Sequence, residues 1–190
     1  MVEYFSFKTR LYFTAIVTIA IWSLLTWNYY HGGVPAHHIL DRKDLPAISN
    51  WWGGLLLPLL TWFLLYRIQR RIFRNDVVKL EALKLPMNVP FGFIGAFLFG
   101  ILLSAFFVFG FSDIPSYMLM GLFSVALFLP IYRAECILGF VIGMTYTFGA
   151  VLPTAVGSII ALICVVLYLY IRPAIFYMSS KIFNIRKSSK

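Results

Sequence analysis

The stretch from Trp27 to Gly54 reads WNYYHGGVPAHHILDRKDLPAISNWWGG, and an apolar run lies on each side of it. A helix needs about 20 apolar residues to cross the ~30 Å hydrocarbon layer of a bilayer, and both flanking runs approach that length. Gly32, Gly33 and Pro35 break regular structure inside the stretch. This arrangement predicts a helical membrane protein whose first loop is long and structured.

The composition also indicates a membrane protein. Hydrophobic residues make up 61% of the chain and charged residues 12%, whereas soluble domains are about half apolar and about a quarter charged. The formal net charge of +9 could indicate nucleic-acid binding. The basic residues, however, stand at the ends of apolar runs and between them, where lipid headgroups account for them. We therefore expect the lipid bilayer as a partner and no nucleic acid.

Six apolar runs predict an all-α fold, a polytopic bundle of about six transmembrane helices forming one domain over residues 1–190. The predicted spans are 11–27, 51–66, 91–111, 116–132, 136–152 and 155–171, with an outer loop at 28–50. The fourth and fifth spans are short, which leaves open a re-entrant pair that does not cross fully.

The segment 67–90 is the most charged part of the chain, and apolar residues recur in it every three to four positions. This pattern predicts one amphipathic surface helix, separate from the second span or continuing it, that Pro86 and Pro90 end. With six spans, every basic residue except Arg42 and Lys43 lies on the side that holds both termini. The positive-inside rule then predicts cytoplasmic termini and an outward-facing first loop in the cell inner (plasma) membrane.

The outer loop holds a first group of candidate site residues. They are His31, His37, His38, Asp41 and Asp44. A short helix over 36–43 would place His37 and His38 four and three positions before Asp41, on one helical face. Imidazole and carboxylate ligands suit zinc or another divalent transition metal. The alternatives are a loop that rests on lipid headgroups and a histidine group that senses pH.

Arg133 and Glu135 form a second candidate, since they lie between two apolar runs with almost no loop. Ionisable groups at membrane depth are costly and usually face a cavity or a partner. Glu135 could hold a proton or cation while Arg133 anchors an anion or carboxylate. In the alternative, both charges belong to a turn that reaches the headgroups.

A third candidate is the GxxxG pair Gly139 and Gly143, followed by Thr145, Tyr146 and Thr147. Small residues let membrane helices approach closely, and hydroxyl groups bond across helices. The run predicts either helix packing alone or a hydroxyl-bearing helix that lines a solute cavity.

The size, the six spans and the cytoplasmic termini are similar in outline to the substrate-binding S components of energy-coupling factor vitamin transporters. That resemblance implies a first outer loop that can cover a bound ligand. The small-residue contact motif of their first helix is not matched, because Ala15 and Ala20 are five positions apart instead of four.

The sequence thus favours small-solute or ion binding and transport, with 27–54 as a lid over a cavity between the third, fifth and sixth helices. One alternative is a metal-dependent membrane enzyme that uses the outer histidines and aspartates, although no His-Glu-x-x-His motif occurs. The other is an accessory subunit that presents Gly139 and Gly143 to a membrane-protein partner. Whether the chain is an enzyme, and which cofactor it would use, stays open.

Overall fold

The computed structural model of the protein describes residues 2–38, 47–75, 88–111, 113–178 and 181. The predicted all-α fold is confirmed. The helices are α1 (Val2–Tyr30), α2 (Trp51–Asn75), α3 (Asn88–Val108), α4 (Asp113–Ala126), α5 (Ala134–Phe148) and α6 (Val151–Val166). A π-helical segment, Leu167–Ile171, follows α6, and the helical course extends to Met178. Two short strands, β1 (Ala36–His38) and β2 (Ala47–Ser49), pair in antiparallel fashion between α1 and α2.

Four helical stretches are long and apolar enough to cross a membrane. They are Phe7–Tyr30, Trp51–Ile72, Asn88–Val108 and Val151–Met178. Large apolar side chains such as Ile16 and Ile19 lie exposed on the outside of the bundle, where water would disfavour so large an apolar surface. These features fit an integral membrane protein whose helices contact lipid. With 14 and 15 residues, α4 and α5 are only ~21–23 Å long, and six full crossings stay a prediction.

The closest helix pair is α3 with α5, and glycines make it possible. A Cβ atom on Gly139 would overlap the carbonyl oxygen of Phe93, and one on Gly143 would overlap the carbonyl oxygen of Phe97. Only small residues let two helix backbones approach so closely. The GxxxG pair of α5 is therefore used inside the molecule, against α3.

A second contact joins α1 to α2 and continues into α5. Val17, Ile21 and Leu25 recur every four residues, and all three are buried in one cluster with Leu57 of α2. This spacing forms one apolar stripe along a helix. Phe140 of α5 belongs to the same cluster, so the two helix pairs share one core.

The bundle has two chemically different ends. At one end, Gly149 follows the last residue of α5 and lies against the side chain of Asn50, just after β2. Its φ of +70° favours glycine. We call this the hairpin end, defined by β1, β2 and Gly149. The opposite end, which we call the basic end, is defined by Arg10, Arg71, Arg133 and Arg172. Glu135 lies at the basic end, ~21 Å along α5 from Gly149.

The short helix predicted over 36–43 is wrong for its first three residues, which form β1. Ala36 pairs with Ser49 and His38 with Ala47, so a partner strand, rather than the local sequence, determines this backbone. Residues 39–46 lie outside the described part of the chain.

Two predicted helix boundaries differ from the structure because of prolines. The fourth span was expected to reach residue 132, yet α4 ends at Ala126. If the helix continued, the ring of Pro130 would clash with the carbonyl group of Ala126, four positions earlier. Pro90 ends no helix; it lies in the first turn of α3, where its missing N–H costs nothing.

The predicted amphipathic helix over 67–90 is seen only in its first part. There it continues the second span without a break, as α2 runs to Asn75. Residues 76–87, including Pro86, lie outside the described part of the chain.

Candidate functional site

A cavity of about 710 Å³ lies between α3, α4, α5 and α6. Its volume is within the range of about 300–1,000 Å³ that is usual for small-molecule sites. Apolar side chains from all four helices form most of its wall, among them Ala96, Phe99, Met118, Leu122, Phe140 and Ile160. A solute cavity was predicted between the third, fifth and sixth helices. The cavity seen here has α4 as a further wall, and its use for a solute stays a prediction.

The polar groups of the cavity wall lie together at the basic end. They are carried by Asn88, Arg133, Glu135, Cys136 and Tyr168. Asn88, Arg133, Glu135 and Cys136 lie where α3 and α5 begin at that end of the bundle. The ring of Tyr168 lies there too, with its centroid 5.7 Å from that of Tyr132. The cavity therefore has one polar end and an apolar body.

Glu135 is the most deeply buried ionisable group of the site, with 1% of its side chain exposed. The Nη2 atom of Arg71, in the last turns of α2, donates a hydrogen bond of 2.9 Å to its Oε1 atom. Helical side chains lean toward the N-terminus of their own helix, so Arg71 reaches back into the bundle from its end. Gly92 of α3 leaves room for the side chain of Glu135, since a Cβ atom at Gly92 would lie 3.1 Å from Cγ of Glu135.

The second carboxylate oxygen of Glu135, Oε2, is buried and has no hydrogen-bond partner within the described part of the chain. The negative charge is favoured by the N-terminus of α5, in whose first turn Glu135 lies. A helix dipole does not replace a hydrogen bond, however, and a buried polar atom without a partner costs ~1–3 kcal/mol. Glu135 belongs to the cavity wall, so a bound molecule that reaches this oxygen could satisfy it.

The three hydroxyl residues of the sequence prediction do not join this site. Thr145 donates its hydroxyl hydrogen to the Val141 carbonyl oxygen of its own helix, at 2.6 Å. The side chain of Tyr146 is 81% exposed, on the outside of the bundle. Neither these two residues nor Thr147 lies in the cavity wall, because they are ~15 Å along α5 from Glu135.

The described residues of the outer stretch 27–54 contribute nothing to the cavity wall. His31 instead closes the end of α1, with its ring stacked on Trp27 at a centroid distance of 3.8 Å. Its Nδ1 atom also lies 2.9 Å from the carbonyl oxygen of Trp27, within hydrogen-bond distance. These contacts place the described part of the predicted lid at the hairpin end.

The other predicted metal ligands are placed only in part. The backbone of His37 and His38 belongs to β1, and Asp41 and Asp44 lie outside the described residues. Within the described residues, no three side chains of the types His, Cys, Asp and Glu come together as a metal site. Metal binding by the outer loop stays a prediction.

Arg71, which forms an ion pair with Glu135 from 64 positions away, was not among the predicted site residues. The available signal was general: a carboxylate between two apolar runs is expected to have a cation nearby. The segment 67–90 offers several arginines, and the sequence does not indicate which of them reaches Glu135. Gly92 was missed too, because its role depends on which face of α3 meets α5.

The polar end offers an acceptor at Glu135 Oε2 and a cation at Arg133, which is half-buried in the same wall. Their chemistry is complementary to a molecule that has both a hydrogen-bond donor and an acceptor. No known protein family, curated protein or solved structure matches the chain. The chemistry of this cavity is therefore the strongest indication of function.

Proposed function

We propose that this integral membrane protein binds, and transports, a small solute that is apolar over most of its length and polar at one end. The observation that carries the proposal is Glu135, a residue of the wall of the ~710 Å³ cavity whose buried Oε2 atom has no partner within the described part of the chain. The solute's polar group would lie between Glu135 and Arg133, and its apolar part between α3 and α4.

The depth of Glu135 supports this proposal. Trp51 and Trp52 are exposed at the hairpin end, and such residues are typical of a membrane interface. A hydrocarbon layer ~30 Å thick that begins at these tryptophans would extend past Glu135, which is ~20 Å from the hairpin end. Charged residues at such a depth are rare and usually functional.

Energetics supports the proposal as well. A buried ion pair often contributes less stability than well-packed apolar side chains of similar volume. Folding alone therefore gives little reason for an ion pair between Arg71 and Glu135 at this position. The pair therefore has a better explanation in binding than in folding.

The proposed orientation places the basic end, and so the polar end of the cavity, at the cytoplasmic face of the plasma (inner) membrane. It rests on the distribution of lysine and arginine along the chain. The described part of 27–54 would then face outward, ~21 Å from Glu135. A lid formed by this stretch would act at the outer face, away from the polar end.

Native mass spectrometry of the full chain, released from lipid nanodiscs, tests the proposal. We expect the wild type to retain a bound molecule and Gly121→Phe to lose it. A Cβ atom at Gly121 meets no atom within 4 Å, and this residue lines the cavity, so the new ring can occupy it. Ala20→Phe is the matched control, because Ala20 is exposed on α1, outside the cavity wall. Equal retention by all three proteins, or retention by none, would contradict the proposal.

A further inference from the structure

We infer that the molecule bound in this cavity is a neutral lipid alcohol, taken from the bilayer, whose hydroxyl group lies between Glu135 and Arg133. The inference rests on the proposed function and adds the chemical class of the ligand. It excludes two other amphiphiles of similar size: those with an ammonium group and those with a carboxylate.

The charges of the polar end argue against an ammonium group. Arg71 and Arg133 carry two positive charges, and Glu135 carries one negative charge that Arg71 already neutralises through Oε1. The described residues of this end therefore have a net positive charge. A cationic ligand would have to leave water and approach Arg133 in a low-dielectric site, which is unfavourable.

The free oxygen argues against a carboxylate. Paired with Arg71, Glu135 is an acceptor only, and its Oε2 atom needs a donor. An ionised carboxylic acid has no donor and would place a second negative charge beside the first. Arg133 could attract such a ligand, but Oε2 would stay without a partner.

A hydroxyl group has the donor and the acceptor that the two residues need. It has one donor, which can bind Oε2 of Glu135, and two acceptor lone pairs, one of which can bind the guanidinium of Arg133. It carries no charge into the site. Asn88 and Tyr168 are the remaining polar side chains near it with an oxygen or nitrogen atom, and each can act as donor or acceptor.

The apolar body of the cavity fits a lipid. Along α3 the wall runs from Asn88 to Phe99, a length of ~16 Å. Gly95 of α3 and Gly121 of α4 line it and are exposed, and a Cβ atom on either would meet no atom within 4 Å. The wall is thus open where these two helices face the bilayer, and a molecule dissolved in lipid can enter there.

Three matched probes test the ligand class: hexadecan-1-ol, palmitate and hexadecylamine, each added to nanodiscs of the full chain at the same mole fraction of lipid. Occupancy is measured by native mass spectrometry. We expect hexadecan-1-ol to bind at least about tenfold more tightly than either charged probe. One hydrogen bond to a charged group contributes about 1.5 kcal/mol, which is about tenfold in affinity.

Two variants should change the preference in opposite ways. Glu135→Gln removes the only negative charge among the described groups of the polar end, so palmitate should become the tightest of the three probes. Arg133→Met removes a positive charge from the polar end, so binding of hexadecylamine should rise relative to the alcohol. Arg133→Met keeps the buried ion pair, and it tests the inference even if Glu135→Gln fails to fold.

Tightest binding of palmitate or hexadecylamine to the wild type would overturn the ligand class. So would an unchanged order of the probes in Arg133→Met. Failure of all three probes would overturn the class as well. If a co-purified molecule is still lost in Gly121→Phe, the proposed function survives any of these results; if no such molecule is found, both fail.

Discussion

Replacement of Arg71 by Met should destabilise the protein, and a second replacement, Glu135→Gln, should restore much of that loss. Arg71→Met removes the 2.9 Å hydrogen bond and leaves the carboxylate of Glu135, 1% exposed, without its cation. Loss of one partner of a buried pair costs ~3–5 kcal/mol because a charge stays buried and uncompensated. The side chain of Arg71 is 33% exposed, so water screens part of the interaction, and we expect ~2–3 kcal/mol.

The double variant buries no uncompensated charge. Its stability should therefore be closer to the wild type than that of Arg71→Met, with a coupling free energy of ~1–3 kcal/mol between the two positions. Arg70→Met is the matched control. Arg70 is the preceding residue of α2 and is exposed, and its replacement should change stability by less than ~0.5 kcal/mol.

Reversible unfolding of the four purified variants in mixed micelles, followed by tryptophan fluorescence, measures these free energies. Additive effects of Arg71→Met and Glu135→Gln would refute the reasoning. So would equal losses in Arg71→Met and Arg70→Met, because the ion pair would then contribute nothing specific.

Two further predictions concern the glycines, and the same unfolding measurement checks both. Gly139→Ala should destabilise the bundle by ~1–3 kcal/mol, since its Cβ atom would overlap the carbonyl oxygen of Phe93 in the backbone of α3. Gly95→Ala, where the new atom meets nothing within 4 Å, should stay within ~1 kcal/mol of the wild type; equal losses would contradict the close helix contact. Gly149→Ala should lower the free energy of unfolding by ~1–3 kcal/mol, because of the positive φ at this position and the overlap of the new Cβ atom with Asn50. An unchanged stability would contradict the described contact of Gly149 with Asn50.

The helices could be predicted from the sequence because their signals are local. Apolar runs about 20 residues long need internally bonded backbone in lipid, and only helices and closed barrels provide it. Gly32 and Gly33, both with positive φ, and Pro35 were visible as breakers after α1. The end of α4 also has a local signal, since Pro130 disfavours a helix beyond Ala126. Because the apolar run continues past Ala126, the span was predicted too long.

Features that depend on distant partners could not be predicted. Three residues of β1 gave no local sign of a strand, because their pairing with 47–49 determines it. The face of α5 that meets the cavity was equally hidden. Gly139 and Gly143 turn toward α3, and Glu135, four positions before Gly139, lies on the same face of α5 and in the cavity wall.

Photo-crosslinking in nanodiscs tests the central claim, solute binding in this cavity, most directly. The probe is hexadecan-1-ol with a diazirine in the middle of its chain, and peptide mapping locates the label. We predict labelling of the apolar cavity wall, such as Phe99 and Met118, that excess hexadecan-1-ol prevents and Gly121→Phe abolishes. Labelling spread over the lipid-facing surface, with the same pattern in the wild type and in Gly121→Phe, would contradict the claim.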